Sequence, residues 1–314
     1  MSLIEKAARR LEELQNSRAG QELAAKADRR SPRAPFLRHQ AAAETGLRLA
    51  LDKRPVPSDG GPFLVQTAEQ HSRTVEINLA QLGAAGYVVP DSPRSAAADE
   101  FRIIKRPVLA NALGKAGAAI RRGNLVMITS SLPGEGKTFT SINLALSMAM
   151  EMDSTVLLVD ADVSRPSVLN RLGLPASPGL LDVLAGSQPE LAEVLLKTNV
   201  QRLALLPAGT QHARATELLA SEAMNRLLDE LATRYGDRIV IFDAPPILVS
   251  TESRALAAQV GQVVVVVEAD RTSQAAVHQT LAMLESCPVV MTVLNKTHRS
   301  EAGEYYGQYR QYGE

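Results

Sequence analysis

Between residues 99 and 296 short apolar runs recur along the chain, at 125–128, 156–159, 203–206, 239–242, 263–267 and 289–294. They are rich in Val, Ile and Leu and show no polar alternation. A strand with no polar face is covered on both sides, so the runs predict a mostly parallel sheet flanked by helices. Longer stretches with helical apolar spacing lie between several of them, as in TELLASEAMNRLLDELATRY at 216–235. The fold class expected is α/β.

Residues 1–95 carry little core material. RRSPRAPFLRHQ and LDKRPVPSDGGPF are punctuated by Pro, Arg and Gly and read as a poorly ordered extension. Two segments within it have helical character. Ser2 and Glu5 have capping-box spacing ahead of a stripe of Leu3, Ile4, Ala7, Ala8, Leu11 and Leu14. A second amphipathic helix is expected from Thr74 to Ala85, on Val75, Ile77, Leu79 and Leu82, ended by GYVVPDSP. Each covers part of the protein's own surface or docks a partner; the first lacks the aromatic anchors of an interfacial membrane helix. The expected organisation is an extension at 1–95, one α/β domain at 96–296, and a polar tail at 297–314.

Charge and composition narrow the chemistry. Lys plus Arg and Asp plus Glu number 34 each, so no global field draws the chain to nucleic acid, and no nucleic-acid partner is expected. The single cysteine, Cys287, excludes an intrachain disulfide framework and reads as a buried structural thiol in a reducing compartment. The N-terminus has no apolar core of a secretory signal, and no run approaches a membrane span. A cytoplasmic location is expected.

The strongest local signal is ITSSLPGEGKTFTSINLAL at 128–146. A glycine-rich turn between strand and helix lets backbone N–H groups curl round a phosphate, and the helix start adds positive potential. The common P-loop begins with Gly, where this chain has Ser131, but Gly136, Lys137 and Thr138 close the motif. The expected nucleotide set is Pro133, Gly134, Glu135, Gly136, Lys137, Thr138 and Phe139. Lys137 would bridge the β- and γ-phosphates of ATP, and the Thr138 hydroxyl would ligate Mg²⁺. Two apolar strands end in acids, TVLLVDAD with Asp160 and Asp162 and RIVIFDAPP with Asp243. Ligands of open α/β sheets bind outside the carboxyl ends of the strands, so these acids should meet the phosphate turn there. Asn295 follows the last strand, where its likeness to P-loop proteins implies an adenine contact and the alternative is a simple turn. The five histidines lack metal-ligand spacing, so no metal beyond magnesium is expected.

The tail is unusual. Tyr305, Tyr306, Tyr309 and Tyr312 are four of the chain's six tyrosines, set among glycines and charges. Such tyrosines do not pack a core.

In order and spacing, SSLPGEGKT, LLVDADVSRPS and IVIFDAPPIL resemble the Walker A, A′ and B motifs of bacterial tyrosine autokinases of polysaccharide export. GLLDVLAG and LLPAG are also similar to that family. MSLIEKAARRLEEL and DEFRIIKRPVLANAL resemble its subgroup from PEP-CTERM/exosortase loci. The resemblance implies a cytoplasmic kinase activated by a membrane polysaccharide co-polymerase of the chain-length determinant type and recruited peripherally to the inner membrane. It also implies a cognate tyrosine phosphatase, and phosphorylation of the C-terminal tyrosines. By the same resemblance Lys137, Asp160 and Asp162 are catalytic, Asp160 accepting or orienting the tyrosine proton, and Thr138, Asp162 and Asp243 hold Mg²⁺. An acid-x-x-Arg-x-x-Arg helix that builds a ring in the family corresponds here to Asp99, Arg102 and Lys105, with Asp for Glu and Lys for Arg. Two alternatives compete: a partitioning or cell-division ATPase switch, whose extra early-loop lysine is Leu132 here, and a nucleotide-binding scaffold without kinase activity.

Overall fold

A computed structural model describes residues 73–297, apart from 91–94, 116, 118, 188–189 and 234–237. Its strands are β1 (Arg73–Val75), β2 (Leu125–Ser130), β3 (Thr155–Asp160), β4 (Leu196–Thr198), β5 (Leu203–Leu206), β6 (Arg238–Asp243), β7 (Gln262–Glu268) and β8 (Val289–Asn295). The helices are α1 (Leu79–Ala84), α2 (Ala96–Ala112), α3 (Lys137–Ala149), α4 (Val168–Arg171), α5 (Leu180–Leu184), α6 (Leu191–Val194), α7 (Ala215–Leu219), α8 (Glu222–Thr233), α9 (Thr251–Ala257) and α10 (Gln274–Met283). The strands form one sheet in the order β1-β4-β5-β3-β6-β2-β7-β8. Every neighbouring pair is parallel except β4 with β5.

Each apolar run read from the sequence is one of these strands, and the pleat divides its side chains between two layers. Val126, Ile128, Val156, Leu158, Ile239 and Ile241 pack on one face with Phe101 and Val108 of α2 and Ile142 and Leu146 of α3. Leu125, Met127, Leu157, Val159, Val240 and Phe242 pack on the other with Leu180, Met224, Leu228 and Leu256 of α5, α8 and α9. Full burial of such a side chain is worth about 1.5–3 kcal/mol, which explains why these strands have no polar face. The Cys287 thiol is buried, with its sulfur 3.3 Å from the Val289 carbonyl. No described helix is long and apolar enough to cross a membrane.

The segment around residue 80 differs from the expectation. The sequence predicts one helix from Thr74 to Ala85; the structure has a strand at 73–75 and a helix only at 79–84. Asn78 divides them, its side chain accepting the Gln81 N–H at 3.0 Å as an N-cap. Asn199 clasps Ile77 on both its N–H and its carbonyl, at 2.9 and 3.0 Å. Ile77, Leu82, Tyr87, Val88 and Val89 are buried in the first layer. The packed structure therefore already includes β1, and the boundary expected near residue 95 falls inside it. The stripe at 3–14 and the tail from 298 onward lie outside the described residues.

The α2 helix also departs from its reading. Asp99 and Arg102 pair at 2.7 Å on its surface, but Lys105 is only 4% exposed. Its ammonium donates to the Ser147 carbonyl at 2.6 Å and pairs with Glu151 at 2.7 Å. Helix geometry carries residue 105 onto the face that meets α3, so Lys105 fastens two helices of one chain and is not presented to a neighbouring copy. Replacing Lys105 by Met strips the buried Ser147 carbonyl of its donor and is expected to cost about 1–2 kcal/mol in urea unfolding. Wild-type stability in that variant would contradict the assignment.

Candidate active site

β2 ends at Ser130 and α3 begins at Lys137, so the turn 131–136 stands at the carboxyl end of the central strands. Gly134 and Gly136 have φ of 92° and 98°, a region that side chains disfavour. At Gly136 space makes the same demand, since a Cβ there would lie 2.0 Å from the Asn295 amide nitrogen. Pro133, Gly134, Gly136, Lys137 and Thr138 line one side of a cavity of about 670 Å³. The first turn of α3 has backbone N–H groups without intrahelical partners, which suits a phosphate. The same cavity is lined by Asp162, Ser164, Arg165, Ser167 and Arg171 after β3, and by Pro245, Pro246, Val249, Ser250 and Glu252 after β6.

The two strand-ending acids are brought side by side by the parallel ladder, Asp160 opposite Asp243. They are 1% and 0% exposed. One Asp160 oxygen accepts the Ser167 and Val168 N–H groups, each at 3.0 Å. One Asp243 oxygen accepts the Ser141 hydroxyl at 3.0 Å, and the Thr138 hydroxyl also bonds this carboxylate. The remaining oxygens, Asp160 Oδ1 and Asp243 Oδ2, are buried without a hydrogen-bond partner. Burial, and then the charge of Asp243, push Asp160 up to about 7. Burial raises Asp243 as well, against the pull of the Lys137 charge. Asp162 reaches the cavity wall, where its carboxylate holds the Lys137 ammonium at 2.7 Å.

The structure thus assembles Lys137, Thr138, Asp160, Asp162 and Asp243 from three segments, as the sequence motifs imply. Asp160 and Asp243 lie beneath the cavity wall, and Asp162 alone of the three is part of it. Other expected contacts go elsewhere. The Phe139 ring packs on Tyr87 with centroids 4.9 Å apart, which leaves only its backbone to meet a phosphate. The Glu135 carboxylate, 2% exposed, accepts the Leu132 N–H at 2.8 Å and the Thr272 hydroxyl. It holds the turn from behind. Asn295 does the same, its amide donating to the Glu135 carbonyl at 2.9 Å. Tyr305, Tyr306, Tyr309 and Tyr312 lie outside the described residues. Arg165 and Arg171 on the wall escaped the sequence reading, although SRP directly after DADV is a signal that could have found the first. Thr272 carries no local signal, because its partner Glu135 is 137 positions away.

The donor set fits a magnesium ion. Thr138, Asp162 and Asp243 supply hard oxygens, and Asp160 and Asp243 each keep one buried oxygen without a protein hydrogen-bond partner, which a cation would satisfy.

Known proteins resemble this chain in sequence and fold. A family model described as an AAA domain matches residues 124–296, more than half of the chain. The putative tyrosine-protein kinase EpsB of Ralstonia nicotianae is 35% identical over 198 residues, which are 60% of this chain and 26% of EpsB. The tyrosine-protein kinase CpsD of Streptococcus agalactiae is 31% identical over 197 residues, 62% of this chain and 83% of CpsD. Among solved structures, the VpsO kinase domain superposes with a TM-score of 0.52 at 30% identity, over 65% of this chain and 100% of that one. The chain spans about a quarter of the length of the first curated relatives it matches, EpsB among them.

The buried acids make stability depend on pH. The fold holds Asp160 above the ordinary carboxylate value of about 3.9, so its contribution is full below about pH 4 and is lost as pH rises through about 7. Free of nucleotide and magnesium, the chain should unfold at lower urea at pH 8 than at pH 6, and Asp160→Asn should narrow that gap. An unchanged gap in the variant would show that Asp160 titrates normally.

Proposed function

We propose, for a chain that belongs to the AAA-domain family and within it to the bacterial tyrosine-protein kinases, transfer of the γ-phosphoryl group of ATP to tyrosine hydroxyls in the control of exopolysaccharide synthesis. The observation that carries this reading is the convergence at one sheet end of Lys137, paired with Asp162, and two buried carboxylates with an oxygen apiece to spare. A merely structural site has no use for three acids grouped around one lysine at a phosphate turn.

Each side chain has a distinct task. Lys137 exchanges Asp162 for phosphate oxygens when ATP enters, and its charge opposes the charge that develops on the transferred group. Thr138, Asp162 and Asp243 would hold magnesium directly or through water, where the ion supplies charge neutralisation between the phosphates. Asp160 keeps Oδ1 available, and a group poised near 7 suits a carboxylate that takes or orients the tyrosine proton, directly or through one water. The acceptors in this reading are Tyr305, Tyr306, Tyr309 and Tyr312 of a neighbouring copy. Each phosphate adds about −1.5 to −2 charge units, so a modified tail repels its neighbours and loosens the assembly. Asp99 and Arg102 remain on the surface of α2 as candidates for self-association. A membrane polysaccharide co-polymerase is the activator that fits, drawing the chain from the cytoplasm to the inner membrane, with a tyrosine phosphatase to reset it.

Purified protein incubated with Mg-ATP should acquire phosphotyrosine. Lys137→Met should reduce labelling by about 100-fold or more with the fold intact. Mixed with an active chain whose four tail tyrosines are Phe, the Lys137→Met chain should become labelled in trans. ATP hydrolysis without any phosphotyrosine would favour an ATPase switch and defeat the kinase reading.

A further inference from the structure

The phosphate turn is held from outside by side chains distant from it in sequence. The Leu132 N–H donates to one Glu135 carboxylate oxygen at 2.8 Å, and the Thr272 hydroxyl donates to the other. The Glu135 carbonyl accepts from Asn295 at 2.9 Å, and the Gly134 carbonyl accepts from the Lys296 ammonium at 2.8 Å. Lys296 is itself steered by Glu268, 3.1 Å away, and the Glu268 N–H donates to the Thr272 hydroxyl at 3.1 Å. These contacts form a closed set that joins the ends of β7 and β8 to Gly134 and Glu135.

We propose that Glu135, Thr272, Asn295 and Lys296 are positioning residues for phosphate binding, holding the backbone of the turn in its nucleotide-ready shape. The inference rests on the nucleotide reading of the cavity. Three observations separate the role from ordinary packing. First, β8 is the outer strand of the sheet, so the two core layers do not require its last residues to reach the turn. Second, Lys296 has φ of 58°, a region where glycine or asparagine serves when only the backbone matters. The disfavoured conformation is retained with a side chain that reaches Gly134, although 45% of it is exposed. Third, Glu135 is buried, faces away from the cavity, and spends both oxygens on the turn and its brace. A glycine-rich turn with two residues at positive φ has many competing shapes. Bonds to its carbonyls remove those shapes without using the N–H groups that a phosphate needs, and binding to a preorganised loop loses less entropy.

The test uses the 314-residue chain, with affinity for a non-hydrolysable ATP analogue in magnesium measured by calorimetry and the unfolding midpoint measured without nucleotide. Lys296→Ala, and Thr272→Val, which keeps the volume and removes the hydroxyl, should each weaken binding about 5- to 10-fold. The Lys296→Ala midpoint should stay at the wild-type value, and Lys296→Arg should restore most of the affinity; Thr272→Val, which strips a buried Glu135 oxygen of its donor, should also unfold earlier. Unchanged affinity in both variants would overturn the role. So would a loss in Lys296→Ala that follows a falling midpoint, or one that Lys296→Arg fails to restore. A wild-type chain that bound no analogue would overturn the nucleotide reading itself, and the positioning role with it.

Discussion

Asp160 and Asp243 sit opposite each other at the buried end of two parallel strands, and the site depends on that juxtaposition. Two carboxylates in a dry interior disfavour each other's charge, and two N–H groups on one and two hydroxyls on the other leave an oxygen of each without a partner. Such a pair needs cations nearby. Lys137 supplies one, lowering the cost of ionising Asp243 while bound to Asp162, and magnesium brought in with a nucleotide would supply the other. In the nucleotide reading, a phosphate and a divalent ion would relieve that imbalance.

The rest of the fold places these groups. The β3–β6 register puts the two acids level, and the β2–β6 register brings the root of the phosphate turn beside Asp243. α3 is buried nearly all round, so Lys137 and Thr138 leave its first turn with little freedom of direction. Lys105 clamps α2 to the far end of that helix through Ser147 and Glu151. Asn143 in its middle accepts the Val88 N–H at 2.7 Å, which ties the segment after α1 to the same element. The helix that starts at the phosphate turn is thus fixed along its length.

Legibility in the sequence followed how local the cause was. Strands β2, β3, β5, β6 and β7 could be read because an interior strand must be apolar on both faces; β8, at the edge of the sheet, is as apolar in sequence although only partly buried. β1 and β4 could not be read: each has three residues, and Arg73, Thr74 and Lys197 give a polar character to the edge strand β1 and to β4 beside it. The segment from Thr74 to Ala85 misled because Val75 and Ile77 alternate as a strand does, while Leu79 and Leu82 have helical spacing, and the Asn78 cap that separates them is a single residue. At the site, the glycines, Lys137, Thr138 and the three acids were readable because each stands at a strand end or helix start with its motif around it. Glu135 and Asn295 were placed at the turn, but the bonds from Thr272 to Glu135 and from Asn295 to the Glu135 carbonyl could not be read, since each spans more than a hundred residues. Lys105 was misassigned because a charged residue on a helix reads as exposed unless its partner, here a backbone carbonyl on another helix, is known.

If the buried acids are a magnesium–nucleotide site, the metal and the nucleotide must bind as a unit. The most direct measurement is calorimetric titration of an ATP analogue into the chain, once with millimolar magnesium and once with a chelator in its place. The account predicts affinity at least about tenfold weaker without the ion, because the carboxylates would then face the phosphates with no intervening charge. Equal affinity in the two titrations would contradict it.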